Sequence, residues 1–277
     1  MTTTGKPAFP TTTAHTVRLR LFQATRRPQM RSSTIETSWG RVRVTGRLGQ
    51  AHADVFEAIC YERIRKGEMA DGRIKLLVDP AAVRRRARIT SGTQFEAILQ
   101  DLRMADIEIL APARLACAGH LIDHIDKAQR SDGSYVTRAN PLGGDRHLWR
   151  VEIGKAFCRL VESDIWVGHD PGTISLLQHG ISQAVARHAL THKTEPQGGW
   201  LLDGLIRAVA GEVAGDALWN KRRELRADTD RLAEIGIVID GDRVHSNHQG
   251  TPVAKAREPV AKAREPVAKA RRPVAKA

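Results

Sequence analysis

Between residues 37 and 250 the hydrophobic pattern switches repeatedly between period two and the helical period. Arg41-Val42-Arg43-Val44 alternates as a half-buried strand does. From Asp54 to Arg65 the positions Val55, Ala58, Ile59 and Ile64 share one face, which predicts a helix. Ile74–Val78 reads as a short strand. Asp79-Pro80 then starts a helix, with aspartate as N-cap and proline at the first helical position. A turn at Thr90-Ser91-Gly92 leads into a helix from Thr93 to about Ala105, with Phe95, Ile98, Leu99 and Leu102 inward. Ile107–Leu110 follows as a strand. His120–Ala128 and Leu148–Ile153 are expected to pair across a long loop containing Gly143-Gly144.

The pattern then restarts. Val151–Val167 mixes strand and helix signals, and Asp170-Pro171 repeats the capped proline start. Ile181–Thr191 reads as a helix with Ile181, Val185, Ala189 and Leu190 inward; Glu195–Gly199 is a loop, and Leu201–Ala210 another helix. The strongest pattern lies in Ala217–His245. Leu218, Leu225 and Leu232 recur every seven residues, with Thr229 and Ala233 in the same stripe, which predicts one amphipathic helix ended by Gly236. Ile237-Val238-Ile239, the turn Asp240-Gly241-Asp242 and Arg243-Val244-His245 complete a β-hairpin.

Helix, strand, helix, turn, helix and hairpin is the order of a winged helix, and it occurs twice. The expected fold class is therefore α+β, two tandem winged-helix domains, each a helix-turn-helix plus β-wing. The first spans 37–150 with a long wing; the second spans 151–250 and is the main DNA reader. Residues 1–36, rich in Thr, Pro and Arg, are expected to form a flexible, disordered basic arm, interrupted by the apolar island Val17–Phe22. Residues 251–277 form a basic tail in which Pro252, Pro259, Pro266 and Pro273 mark a seven-residue Ala/Lys/Arg repeat that disfavours continuous helix.

Charge sharpens this picture. The chain has 277 residues and a net charge of +13, which points to a polyanionic partner. Residues 1–36 carry +5 and residues 252–277 carry +6, so the folded middle is nearly neutral at +2 and any DNA surface on it is local. The tail fits sequence-independent attraction to phosphates; a solubilising tail is the plain alternative. No run of apolar residues is long enough for a membrane span. The three cysteines, Cys60, Cys117 and Cys158, suit a reducing compartment, and a bacterial cytoplasmic protein is expected.

Enzymatic signatures are weak. Cys117, His120 and His124 have a zinc-like spacing but need Cys158 or Asp123 as a fourth ligand. His188 and His192 lie one helical turn apart without the glutamate of a zinc hydrolase. Gly67–Gly72 lacks the Lys-Ser/Thr of a phosphate loop. Tyr61 and Tyr135, the two tyrosines, have no metal-binding histidine cluster beside them, as a DNA-nicking enzyme requires. Neither catalysis, a metal nor a cofactor is expected.

The helix-turn-helix readings carry more. Trp219, Asn220, Arg222, Arg223 and Arg226 occupy the leading turns of the last helix, where base edges are reached, and Arg and Asn suit guanine and adenine. Lys221 and Arg243 are candidate phosphate contacts, as are Arg84, Arg85, Arg86 and Arg88 in the helix before the first turn. The following helix offers Thr93, Gln94 and Gln100 for readout, but Glu96 and Asp101 are expected to make it a poor electrostatic match.

Residues 17–245 resemble the TrfA-type plasmid replication initiators. The likeness rests on WNKRRELRADTDRLAEIGIV followed by IDGDRVH, on VEIGKAFCRLV, on ISQAVARHALTHK and on KLLVDPAAVRRRARITSGTQFEAILQDLRMADI. It implies tandem winged helices, binding to repeated sites (iterons) at a plasmid origin, opening of an AT-rich region, recruitment of the host replicative helicase or its loader, and a monomer–dimer equilibrium that restrains copy number. Some members carry a clamp-binding Gln-Leu-x-Leu-Phe. Here Leu19, Leu21 and Phe22 keep the apolar part, with Arg18 in place of glutamine. The basic tail has no counterpart in that pattern. A winged-helix transcriptional repressor and a nucleoid-associated basic protein are the alternatives.

Overall fold

A computed structural model describes residues 11–37, 40–110, 117–163, 166–192 and 194–246. The basic tail and the first ten residues lie outside the described residues. The chain is mixed α+β. It begins with β1 (Thr12–Thr13), α1 (Ala14–Arg18), β2 (Arg31–Thr37), β3 (Gly40–Gly46), α2 (Gln50–Tyr61), β4 (Arg65–Glu68) and β5 (Ile74–Val78). Then come α3 (Pro80–Arg86), α4 (Gly92–Met104), β6 (Asp106–Leu110), β7 (Cys117–Gly119) and β8 (Ile122–Lys127). The hairpin β9 (Thr137–Ala139) and β10 (Asp145–His147) precedes β11 (Trp149–Ile153) and α5 (Lys155–Ser163). The remainder comprises β12 (Trp166–Val167), α6 (Pro171–Ile174), α7 (Gly180–Leu190), β13 (Trp200–Leu201), α8 (Leu202–Ala210), α9 (Gly215–Ala227), α10 (Thr229–Glu234), β14 (Ile237–Asp240) and β15 (Arg243–Ser246).

Two hydrophobic clusters organise these elements. In the first, α2, α3 and α4 pack on the sheet β4-β5-β11-β8, in which β11 lies between β5 and β8 and runs antiparallel to both. The alternating strand Arg41–Val44 and the strand at Ile107 sit in a second sheet, β2-β3-β6-β7, where Val42 faces Ile109 and Val44 faces Ile107. In the second cluster, α7, α8 and α9 pack with the sheet β13-β15-β14, again with the last strand in the middle. From α2 and from α7 onward, leaving aside β4, β6, β7, β9, β10 and α5 in the first half and α10 in the second, each half has the order helix, strand, helix, helix, strand, strand, and the same strand arrangement: β5-β11-β8 matches β13-β15-β14.

The local signals explain most ends. Asp79 accepts a hydrogen bond from the Ala81 amide at 3.0 Å, and Asp170 one from Gly172 at 2.8 Å, so both Asp-Pro starts cap helices. α6 is only one turn long. β8 and β11 pair across the long loop as the pattern predicts. Gly236 (φ 81°) and Gly241 (φ 54°) adopt the left-handed conformation that ends α10 and turns the final hairpin.

Four expectations need correction. The helix predicted over Asp54–Arg65 runs instead from Gln50 to Tyr61 and is buried from Gln50 to Cys60, while Ile64, expected inward, lies beyond its end and is exposed. The single helix predicted across Ala217–Ile235 is two, because Asp228 breaks it. That side chain is 1% exposed and turns away to accept the Gln178 and His179 amides at 3.1 and 2.9 Å. Leu218, Leu225 and Leu232 are all buried, so the leucines of the stripe survive the break, whereas Thr229 is half-buried and Ala233 is exposed. The boundary near residue 150 falls inside β11; Phe157 and Leu160 of α5 belong to the first cluster, which moves the division to between Val161 and Ile174.

The fourth concerns the arm. Residues 11–37 are built into the fold: β1 pairs with β12, α1 packs on α7 and α8, and Leu19 and Leu21 are fully buried, with Phe22 at 7%. Burying three such side chains is worth several kcal/mol, at roughly 1.5–3 each, enough to order a polar segment. The same burial removes Leu19, Leu21 and Phe22 as a docking peptide, because a sliding clamp would have to extract them from the core.

Candidate nucleic-acid interface

The exposed face of α9 is a stripe. Asp216, Trp219, Arg223, Arg226 and Ala227 face solvent, while Leu218 and Leu225 anchor the opposite face in the second core. Trp219 is 58% exposed, a large apolar surface to leave in water. The Arg223 guanidinium lies 5.0 Å from its ring centroid. Four residues apart on one helix, the two side chains stack and hold each other off the surface.

The other predicted readers are less available. Arg222 forms a two-pronged pair with Asp203 of α8, which raises the arginine pKa and lowers that of the carboxyl through their hydrogen bonds. Its first effect is to tie α8 to α9. Asn220 is half-buried. Arg226 reaches the hairpin turn, donating to Gly241 O and Asp242 Oδ1, both at 3.2 Å, in an exposed contact. Lys221 pairs with Glu224 at 3.0 Å, and Arg243 donates to Gly199 O at 3.4 Å.

The first half shows the same sorting. On α4, Ser91 caps the helix, and Thr93, Gln94, Ala97 and Gln100 are exposed. Asp101, expected to repel DNA, turns inward: it accepts from Arg47 at 3.2 Å and meets His52 Nε2 at 3.1 Å. Glu96 alone keeps an exposed acidic charge among Thr93–Asp101, so the exposed face of α4 is less acidic than its sequence implies.

Among the four arginines before the turn, Arg85 and Arg88 are exposed, Arg88 with a left-handed φ of 55°. Arg84 donates to Thr90 O and lies over Phe95. Arg86 is withdrawn from any phosphate role: it pairs with Glu62 and Asp170, each at 2.7 Å, and its guanidinium lies 4.5 Å from the Tyr61 ring centroid.

The zinc-like residues do not converge. His120 Nδ1 is 2.9 Å from Ala105 O, and Cys158 Sγ faces Ile153 O. Among the described residues no group of three or more His, Cys, Asp or Glu is placed to hold a metal. The His188 and His192 rings pack together at 4.5 Å instead. No described helix is long and apolar enough to cross a membrane.

Sequence reasoning missed the junction between the halves. Arg187 of α7 is buried against α2: Nη2 lies 2.7 Å from Asp54 Oδ1 and 2.8 Å from Glu57 Oε2, and Nη1 lies 2.7 Å from Gln50 Oε1. His169 Nε2 is 3.2 Å from the same Glu57 oxygen, and Gln183 Nε2 donates to Asp54 at 3.1 Å. Burial pushes the Glu57 carboxyl upward, but Arg187 and His169 outweigh it and hold it at about 2. Gln50, Asp54 and Glu57 were the available signal: they share one polar face of α2, beside the apolar one, and that face is buried as well.

No family model and no curated protein sequence matches the chain. Among solved structures, the chain is similar to domains 2 and 3 of RctB in selenomethionine form. The identity is 12% and the TM-score 0.51, covering 84% of this chain and 95% of that one. A second structure of RctB domains 2-3 aligns at 10% identity with a TM-score of 0.43, over 82% and 94% of the two chains. The first match shows a shared fold across both halves.

Proposed function

We propose that the chain is a non-catalytic DNA-binding protein built from two winged helices, and that it acts as a plasmid replication initiator. The observation that carries the DNA-binding reading is the Trp219–Arg223 pair, exposed on the third helix of a helix, strand, helix, helix, strand, strand unit. In a winged helix that third helix enters the major groove and its leading turns meet base edges. The second unit reads sequence through Trp219 and Arg223, with Asn220 beside them. Arg226 links the recognition helix to the hairpin and is freed, or contacts a phosphate, when DNA displaces the exposed Asp242. Thr93, Gln94 and Gln100 form the second, weaker reading surface, and Arg85 and Arg88 position it on phosphates.

The initiator role rests on the sequence resemblance to TrfA-type proteins and on the pairing of two such units in one chain. In this role the chain binds directly repeated origin sites, promotes opening of an adjacent AT-rich duplex and recruits the host helicase or its loader, with a monomer–dimer balance setting copy number. The test is whether the gene with its flanking DNA sustains replication of a plasmid that otherwise cannot replicate. Footprints over direct repeats beside an AT-rich block support initiation. A footprint on one inverted repeat overlapping a promoter, without replication, would replace it with repression.

A further inference from the structure

Thr25–Pro28 is wedged between the starts of the two first helices. A Cβ on Gly49, the N-cap of α2, would lie 2.6 Å from Thr25 O and 2.9 Å from the Pro28 ring; one on Gly180, the first residue of α7, would lie 2.4 Å from Thr25 Cα. The Gln50 amide donates to Thr25 O at 2.9 Å. Such contacts fix the segment's backbone while Arg27 faces solvent and Arg26 is half-exposed, one of its nitrogens donating to Leu177 O at 3.3 Å.

These two arginines line a cleft of about 560 Å³ that also includes Gln94 of α4 and Lys221 of α9. The cleft therefore joins the proposed reading helices of the two halves. Its charged lining is Arg26, Arg27 and Lys221 against Glu224, which pairs with Lys221; Gln178, His179 and Thr25 are polar, and Ala51 is the one apolar side chain besides the glycine. A net positive, polar cleft offers nothing to an apolar partner and suits an anion.

The geometry points to a seat for the DNA sugar–phosphate backbone in this cleft, with Arg26 and Arg27 gripping the phosphates between the groove segments read by α9 and α4. This rests on the DNA-binding reading above. A duplex that engages both helices must carry its backbone across the space between them, and the cleft lies there. The close packing that Gly49 and Gly180 allow fits the seat, because arginines carried on a backbone fixed in place lose less freedom on binding.

The test uses the full-length chain and the duplex it selects from a random-sequence library. Binding is measured against salt concentration for wild type, Arg26→Gln/Arg27→Gln, Arg27→Glu and the charge-keeping Arg26→Lys/Arg27→Lys. Each lost phosphate contact flattens the log–log salt slope by about 0.9, so the double glutamine variant should flatten it by up to about 2 and the lysine variant should restore it. Arg27→Glu, altering only the exposed side chain, should weaken binding without lowering the melting temperature, and ethylation of phosphates between the two protected grooves should block wild-type binding. An unchanged slope in the glutamine variant, with selection and footprint intact, overturns the seat alone. Failure of the wild type to select any sequence overturns the DNA-reading account beneath it.

Discussion

Arg187 of α7 and Glu57 of α2, 130 residues apart in sequence, meet in a buried ion pair at 2.8 Å. The first helix of each half is thereby fastened to that of the other by charge rather than by an apolar seam. A buried charge left without its partner is costly, about 3–5 kcal/mol. Arg187→Met is expected to lower unfolding free energy by that amount in chemical denaturation, and combining it with Glu57→Gln should cost less than the sum of the two single changes. A loss below about 1 kcal/mol in the single variant would mean that water reaches the pair.

The glycines predict opposite signs at two helical sites. Gly180→Ala forces the Thr25 backbone to move, and overpacking of this kind costs about 1–3 kcal/mol. At Gly204 within α8 an added Cβ meets Leu201 Cβ at an ordinary 3.8 Å. Gly204→Ala should therefore stabilise by about 0.5–1 kcal/mol, because alanine is the better helix former. Thermal melts of the two variants check both signs.

His188 gives a pH dependence. Burial lowers its imidazole to about 4, with His192 and Arg18 adding to the effect. The folded value lies below the unfolded value near 6.5, so the unfolded chain takes up the proton first. Stability from this group is full above pH 6.5, falls as pH drops towards 4 and is flat below. Allowing for partial exposure, the loss is on the order of 2 kcal/mol. The melting temperature of His188→Gln should fall less than that of wild type between pH 6.5 and 4; parallel curves would contradict the assignment.

Much of this arrangement was legible in local sequence. The Asp79-Pro80 and Asp170-Pro171 starts, the leucines of α9 and α10, and the glycine-turned hairpin each depend on neighbours within a few residues. What was not legible depends on distant partners. Leu19, Leu21 and Phe22 sit in a stretch dominated by basic and polar residues, and only the first hydrophobic core, built from residues far along the chain, supplies the surface that buries them. Arg86 and Arg222 look like DNA contacts until Asp170 and Asp203 are seen beside them, and Asp101 looks repulsive until Arg47 is seen to pair with it. In a basic chain, a charge pattern alone does not separate arginines that face DNA from those that brace the fold.

The tail makes a separable contribution. Removing residues 251–277, eight of whose side chains are Lys or Arg, should weaken binding to all duplexes alike and flatten the salt slope without changing the preferred sequence. Competition binding between the selected duplex and a scrambled one measures this, and a changed preference would give the tail a reading role.

The central claim is that α9 reads sequence through Trp219 and Arg223, and footprinting of the Trp219→Ala/Arg223→Ala protein on its selected duplex tests it most directly. The account predicts that the discrete footprint disappears while weak, salt-sensitive binding to any duplex persists, with the melting temperature close to that of wild type because both side chains are exposed. A footprint retained at the same bases, at undiminished affinity, would contradict it.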